Sequence, residues 1–330
     1  MSVPYGETVM TGNAGAVRSG ATQLPSGHDH GRQTGRSARP VLTATLGAAT
    51  ISWSAILVTL AHQGAATTAF LRCALAVPAL LVLAIIEQRR LGPRPLAGRL
   101  YAIVAGVFLA VDLVLWNHAI ADVGAGVATV LGNLQVLFVA LLAWLLLKER
   151  PGSRYLVVLP VVVTGVVLVS GVVGSGAAGE HPAAGIGYGI GTSAAYAVFL
   201  LIIRQTAGQT PHVAGQLADA TVGAAAGSLV IGMLTGGVRV AVGWPAFGWL
   251  VMLALLSGTL GWLLITSSLP KLPAAVSSLL LLLQPAGSLV LADVVLGQHP
   301  TLIQVTGAVL VCVGVLAVTW NRSPRSAPTA

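Results

Sequence analysis

From residue 41 onward, long apolar runs alternate with short polar links, and the runs show neither the strict alternation of half-buried strands nor a sustained charged face. Ten such runs are read, at 41–62, 65–87, 100–118, 124–147, 155–173, 183–203, 212–234, 247–269, 274–296 and 302–320. Each stands near the roughly 20 residues that a helix needs to cross a hydrocarbon core. Backbone polar groups in lipid must be satisfied inside the element, so uninterrupted runs of this kind are predicted as helices. The fold class is therefore an all-α membrane protein of ten transmembrane helices. Run seven, rich in Gly and Ala and holding Asp219, carries the weakest signal of the ten.

The two halves of the chain repeat one pattern. The stretch VGAGVATVLGNLQVLFVALLAWLLLKERPGSRYLVVLPVVVTGVV, from Val123, matches without a gap LPAAVSSLLLLLQPAGSLVLADVVLGQHPTLIQVTGAVLVCVGVL, from Leu272. Matches among Leu, Val and Ala mean little in apolar text. The weight falls on Gln135 with Gln284, Pro151 with Pro300 and Gly165 with Gly314, all offset by 149 positions. A repeat with an odd number of crossings inserts upside down relative to its partner, an arrangement that places a substrate site where the halves meet. Two inverted five-helix repeats are predicted, at 41–173 and 183–320, between tails at 1–40 and 321–330.

Composition excludes a soluble domain, since 55% of residues are hydrophobic and 8% charged, with a mean hydropathy of +0.88, against roughly 25% charged in soluble proteins. The basic residues then orient the chain. Fifteen Lys and Arg fall on one side of the predicted bundle, only Arg239 falls on the other, and Arg72 lies within a run. By the positive-inside rule both termini are cytoplasmic, in a multi-pass protein of the plasma membrane. The net charge of +8 is split among short links, which argues against a nucleic-acid partner. The partners implied are the lipid bilayer and a small-molecule substrate, and a homodimer is left open.

The first forty residues lack a signal-peptide core and read as a disordered cytoplasmic tail. His28-Asp29-His30 within it makes a poor metal site, and no metal is predicted. Cys73 and Cys312 lie in different runs, so no disulfide is expected. No nucleotide-binding loop is present, and no cofactor is implied.

Three stretches carry a resemblance to a known family: ATISWSAIL in the first run, the apolar run ending LLLKERPG after the fourth, and the Pro-Ala, Pro, Leu-Gly, Thr, Gln, Gly order of the last quoted stretch. Residues 41–320 resemble the EamA-type branch of the drug/metabolite transporter superfamily. The resemblance implies ten helices in two inverted repeats and, most often, export of amino acids or related metabolites. Two departures stand out. Val136 occupies the position equivalent to Pro285, which puts a symmetric kink in doubt, and Gln298 replaces an acidic residue after the ninth helix.

Candidate chemistry comes from polar groups inside the runs. A lone charge at mid-bilayer is costly and survives in a polar interior or with a partner. Arg72 and Asp112 each lie about 10 Å below the same end of their helices at 1.5 Å per residue, so an ion pair is expected there, with a gate or a contact to a charged substrate as the alternatives. Asp219 near the cytoplasmic end of run seven is a candidate for cation binding or proton coupling, with snorkelling as the alternative. Pro285 removes a backbone donor and frees the Leu281 carbonyl, marking a broken-helix site or a packing kink. Asp293 reads as interfacial. Trp53 and Tyr196 lie near the centres of corresponding runs and are expected to face one cavity. Trp116, one turn beyond Asp112, and Trp262 in run eight extend it, with Asn133, Gln135 and Gln284 as its mid-span polar groups. Packing roles are the alternative for each.

These features point to a secondary transporter, an exporter of a small metabolite such as an amino acid, working by alternating access around a midplane cavity. An integral-membrane enzyme acting on a lipid-linked or amphipathic substrate is the alternative. It calls for clustered His, Asp, Cys or Arg at one surface, whereas here the polar groups are dispersed at helix centres.

Overall fold

The computed structural model describes residues 30–148, 153–169, 181–207, 212–268, 271–272, 280–281 and 283–319. Every element among them is helical: α1 His30–Ala61, α2 Ala65–Leu91, α3 Leu96–Val123, α4 Ala125–Gly132, α5 Gln135–Leu147, α6 Ser153–Val169 and α7 Pro182–Ala207. Then come α8 Val213–Thr235, α9 Ala246–Met252, a π-helical stretch Leu253–Gly261, α10 Trp262–Ser268, α11 Leu283–Leu296 and α12 Leu302–Thr319. The first helix starts upstream of the predicted onset, at His30, and runs through Pro40. His28 and Asp29 lie outside the described residues.

Each predicted run contains an apolar helix. Seven reach crossing length, counting α4 with α5 and α9 with the π stretch and α10, while Leu156–Val169, Leu283–Leu296 and Leu302–Gly314 are shorter among the described residues. Large apolar side chains such as Leu81, Val82 and Ile85 on α2, and Leu145 and Leu146 on α5, cover the outside. That distribution, inverted from a soluble protein, marks a multi-pass membrane protein whose solvent is lipid.

The halves interlock. α2 packs on α8, α6 on α12 and α4 on α11, each pairing one run with its repeat counterpart. The pair α3 with α7 is mirrored by α1 with α9, the π stretch and α10, so exchanging the halves reproduces the same neighbours. The largest buried cluster holds Ile56, Leu57, Leu131, Leu250 and Leu253, drawn from both halves.

Where residues are small, helices approach closely. Gly223 and Gly227 on α8 form a G-x-x-x-G pair against α3, and Gly307 of α12 meets Gly165 of α6. Such contacts replace the hydrophobic driving force that helices lack in lipid.

The end of the bundle holding the α2–α3 link is fastened by charge. The Glu87 carboxylate accepts from the backbone N–H groups of Val213, Ala214 and Gly215 at 2.9, 3.1 and 2.7 Å, capping α8 from another helix. One turn on, Asp219 pairs with Arg94 and, at 3.5 Å, with Arg99. Asp219 and Arg94 are both largely buried. Removing one partner leaves the other charge uncompensated, so Asp219→Ala is expected to cost about 3 kcal/mol or more. Thermal unfolding of the detergent-purified protein checks this, and an unchanged midpoint would mean the clamp contributes nothing.

Candidate functional site

A cavity opens where α1, α2, α3, α4, α5, α7, α10 and α11 converge, and its volume of about 140 Å³ is several times what a single water needs. Two irregularities shape it. The helix of run four tightens into a 3₁₀-type turn at Asn133 and Leu134, between α4 and α5, where both residues keep right-handed helical angles although no proline is present. The Leu134 N–H donates to the Leu131 carbonyl at 3.0 Å, three residues back, and side chains supply further partners to the carbonyls of this turn. The Ser193 hydroxyl, from α7, lies 2.8 Å from the Leu131 carbonyl and 3.1 Å from that of Gly132. The Asn133 amide donates to the Thr129 carbonyl at 2.8 Å. Run four thus carries an irregularity at Asn133–Leu134 without a proline, while Pro285 lies in the first turn of the described part of α11.

The second irregularity is the π stretch. A π turn holds more residues than an α turn and shifts the face on which the following residues lie. Trp262, the first residue after it, faces the cavity. Its ring centroid lies 6.2 Å from Tyr196 and 6.4 Å from Phe199, making an aromatic wall.

Arg72 and Asp112 both line the cavity at 8% and 6% exposure. No ion pair within 4.0 Å joins them, although both are among the described residues. The Arg72 guanidinium lies over the Trp116 ring, 5.9 Å from its centroid. The Asp112 backbone carbonyl accepts from the Thr192 hydroxyl at 2.8 Å, fixing α3 against α7. The cavity thus holds one basic and one acidic side chain with no ion pair between them.

Of the residues singled out from sequence, Arg72, Asp112, Trp116, Asn133, Gln135, Tyr196, Trp262 and Gln284 come together in this lining. Trp53 does not: it is 37% exposed, whereas its neighbours Ile51 and Ser54 line the cavity. Those two share a face of α1, and Trp53 points roughly 130° away from it at 3.6 residues per turn. Asp219 sits in the charged clamp. Pro285 is buried behind the lining, where Ser288 donates to the Ser52 carbonyl at 2.9 Å. Asp293 is at the end of α11, 2.6 Å from the exposed ring of His299.

The lining also holds Ser54, Thr129, Thr192 and Ser288, which sequence reading passed over. The last three had a signal. Thr129, Thr192 and Ser288 lie four residues from Asn133, Tyr196 and Gln284, the spacing that puts side chains on one helix face.

A lipid-facing helical bundle built from two interlocked halves around a polar central cavity defines a multi-pass membrane protein of the transporter class. Family comparison makes this specific. The EamA-like transporter family matches residues 39–171 and again 183–320, and the chain belongs to that family within the drug/metabolite transporter superfamily. No curated protein matches the chain. A solved protein crystal structure shares the fold, with a TM-score of 0.59 at 16% identity, over 87% of this chain and 100% of that one.

Proposed function

We propose that the protein carries a small zwitterionic metabolite, such as an amino acid or a close relative, out of the cell by alternating access around the central cavity. The observation that carries this reading is the buried pair of opposite charges, Arg72 and Asp112, lining one cavity without joining each other. A buried charge needs a partner, and a ligand bearing a carboxylate and an ammonium supplies one to each. The aromatic wall of Tyr196 and Trp262 offers apolar contact area beside these poles. Ten crossings, inverted repeats and cytoplasmic termini complete the reading, with the arginine-rich α2–α3 link on the cytoplasmic side.

Titration of the purified protein tests it, following quenching of tryptophan fluorescence by amino acids, their amides and their N-acetyl derivatives. Zwitterions are expected to bind about tenfold or more tightly than either singly charged analogue, as one lost charge-assisted hydrogen bond implies. Equal affinities across the three sets would refute the two-pole site. Tyr196→Ala is expected to weaken binding several-fold in a protein that still folds, while Trp53→Ala leaves affinity at its starting value.

A further inference from the structure

The short helix α4 supplies Thr129 and Gly132 to the cavity lining. α4 spans eight residues, Ala125–Gly132, and is bounded by a chain turn at one end and by a 3₁₀-type tightening of the helix at the other. On one side stands Gly124, with φ +84°, a conformation that side chains rarely adopt. On the other stands the turn at Asn133 and Leu134, after which α5 continues in run four and packs on α7. α4 seats on α11 of the opposite half, so closely that a Cβ at Gly126 would lie 2.7 Å from Leu289 Cδ1 and 3.0 Å from Leu289 Cα.

One side chain from the other half ties down the first turn of α4. The first N–H groups of a helix have no partner within it. That of Ala125 donates to Gln298 Oε1 at 3.0 Å, across the boundary between the halves. Gln298 is itself held to the end of α11, its N–H donating to the Ala292 carbonyl at 3.1 Å. A Cβ at Gly124 would lie 2.8 Å from Gln298 Oε1, so the absence of a side chain there lets the amide reach the helix end.

We propose that α4 is the movable leaf closing one end of the cavity, hinged at Asn133–Leu134, and that the Gln298 amide is its latch. The proposal rests on the alternating-access reading and adds the element and contact that do the closing. A 3₁₀ stretch inside a spanning helix suits this task, because a few backbone angles there absorb the motion. The latch is a single uncharged hydrogen bond. The opposite end, by contrast, carries the Glu87 cap and the Asp219 ion pairs.

The test uses the full chain with Cys73→Ala, Cys312→Ala and Ser54→Cys, placing one thiol in the cavity lining. A membrane-impermeant maleimide is added separately to each face of sealed vesicles. Separate marker proteins with Val240→Cys, in the α8–α9 link at the α4 end, and Arg90→Cys, at the other end, identify the faces. Adding Gln298→Ala is expected to raise the labelling rate of the cavity thiol about fivefold from the Val240 face only, the effect of losing one helix-cap contact. Gln298→Glu keeps an acceptor oxygen and is expected to label at the starting rate. Melting temperatures of the three proteins separate opening from unfolding. Equal rates in all three, or the same acceleration in both variants, would overturn the latch. The two-pole site is judged separately by the ligand titration, so either idea can fail without the other.

Discussion

Gly223→Leu is expected to leave no correctly assembled protein, because a Cβ at that position would lie 2.1 Å from the Ile103 carbonyl oxygen. The obstruction is backbone, not a side chain that can turn aside. Gly106 meets α8 the same way from the α3 side, with its added Cβ 2.0 Å from the Ala220 carbonyl oxygen. Overpacking in a core costs about 1–3 kcal/mol when side chains can shift, and here two helix axes would have to separate. Neither Gly223→Leu nor Gly106→Leu is expected to give a monodisperse peak on size-exclusion chromatography. Gly187→Leu, at a position with open space around its Cβ, serves as the control and is expected to behave as the parent does. A monodisperse Gly223→Leu protein with an unchanged melting temperature would show that the α3–α8 contact is looser than described.

The same glycines explain where sequence reading was weak. Run seven gave the poorest membrane signal because it is rich in Gly and Ala, yet the small size of those side chains is what permits α8 to lie against both α2 and α3. A hydropathy scale scores transfer to lipid and is blind to helices that need little lipid contact. The repeat was legible because Gln135 with Gln284 and Gly165 with Gly314 are unusual matches in apolar text, and the packing of α6 on α12 and α4 on α11 follows it.

Side-chain direction was less legible. Trp53 was placed by its depth, and depth does not fix the face of a helix: Ile51 and Ser54 hold the inward side of α1. The 3₁₀-type turn at Asn133 and Leu134 had no proline to announce it. It is stabilised by Ser193, a residue of the other half whose proximity only the tertiary fold reveals. Trp262 was placed in the cavity by its position in run eight, but the π stretch that precedes it has no sequence signature of its own. Arg72 and Asp112 were found by their charge and equal depth, but whether they meet or face a shared space depends on helix rotation.

That distinction governs the outcome of neutralising them. If Arg72 and Asp112 were direct partners, Arg72→Gln and Asp112→Asn would each lower stability, and the double change would restore much of it. With no ion pair joining them in the shared cavity, each is expected to act on ligand affinity instead. A hydrogen bond to a charged group contributes about 1.5–3 kcal/mol, or roughly 10- to 150-fold in affinity. Each single substitution is expected to weaken zwitterion binding by about that factor, with a smaller change in melting temperature. The discrimination against analogues separates the poles. Arg72→Gln is expected to bind an amino acid and its amide alike, since the group that rewarded a carboxylate is gone. Asp112→Asn is expected to lose its preference for a free amine over an N-acetyl group while still favouring the carboxylate. If both variants kept the full selectivity of the parent, neither charge would touch the ligand, and the pair would belong to the scaffold of α2 and α3.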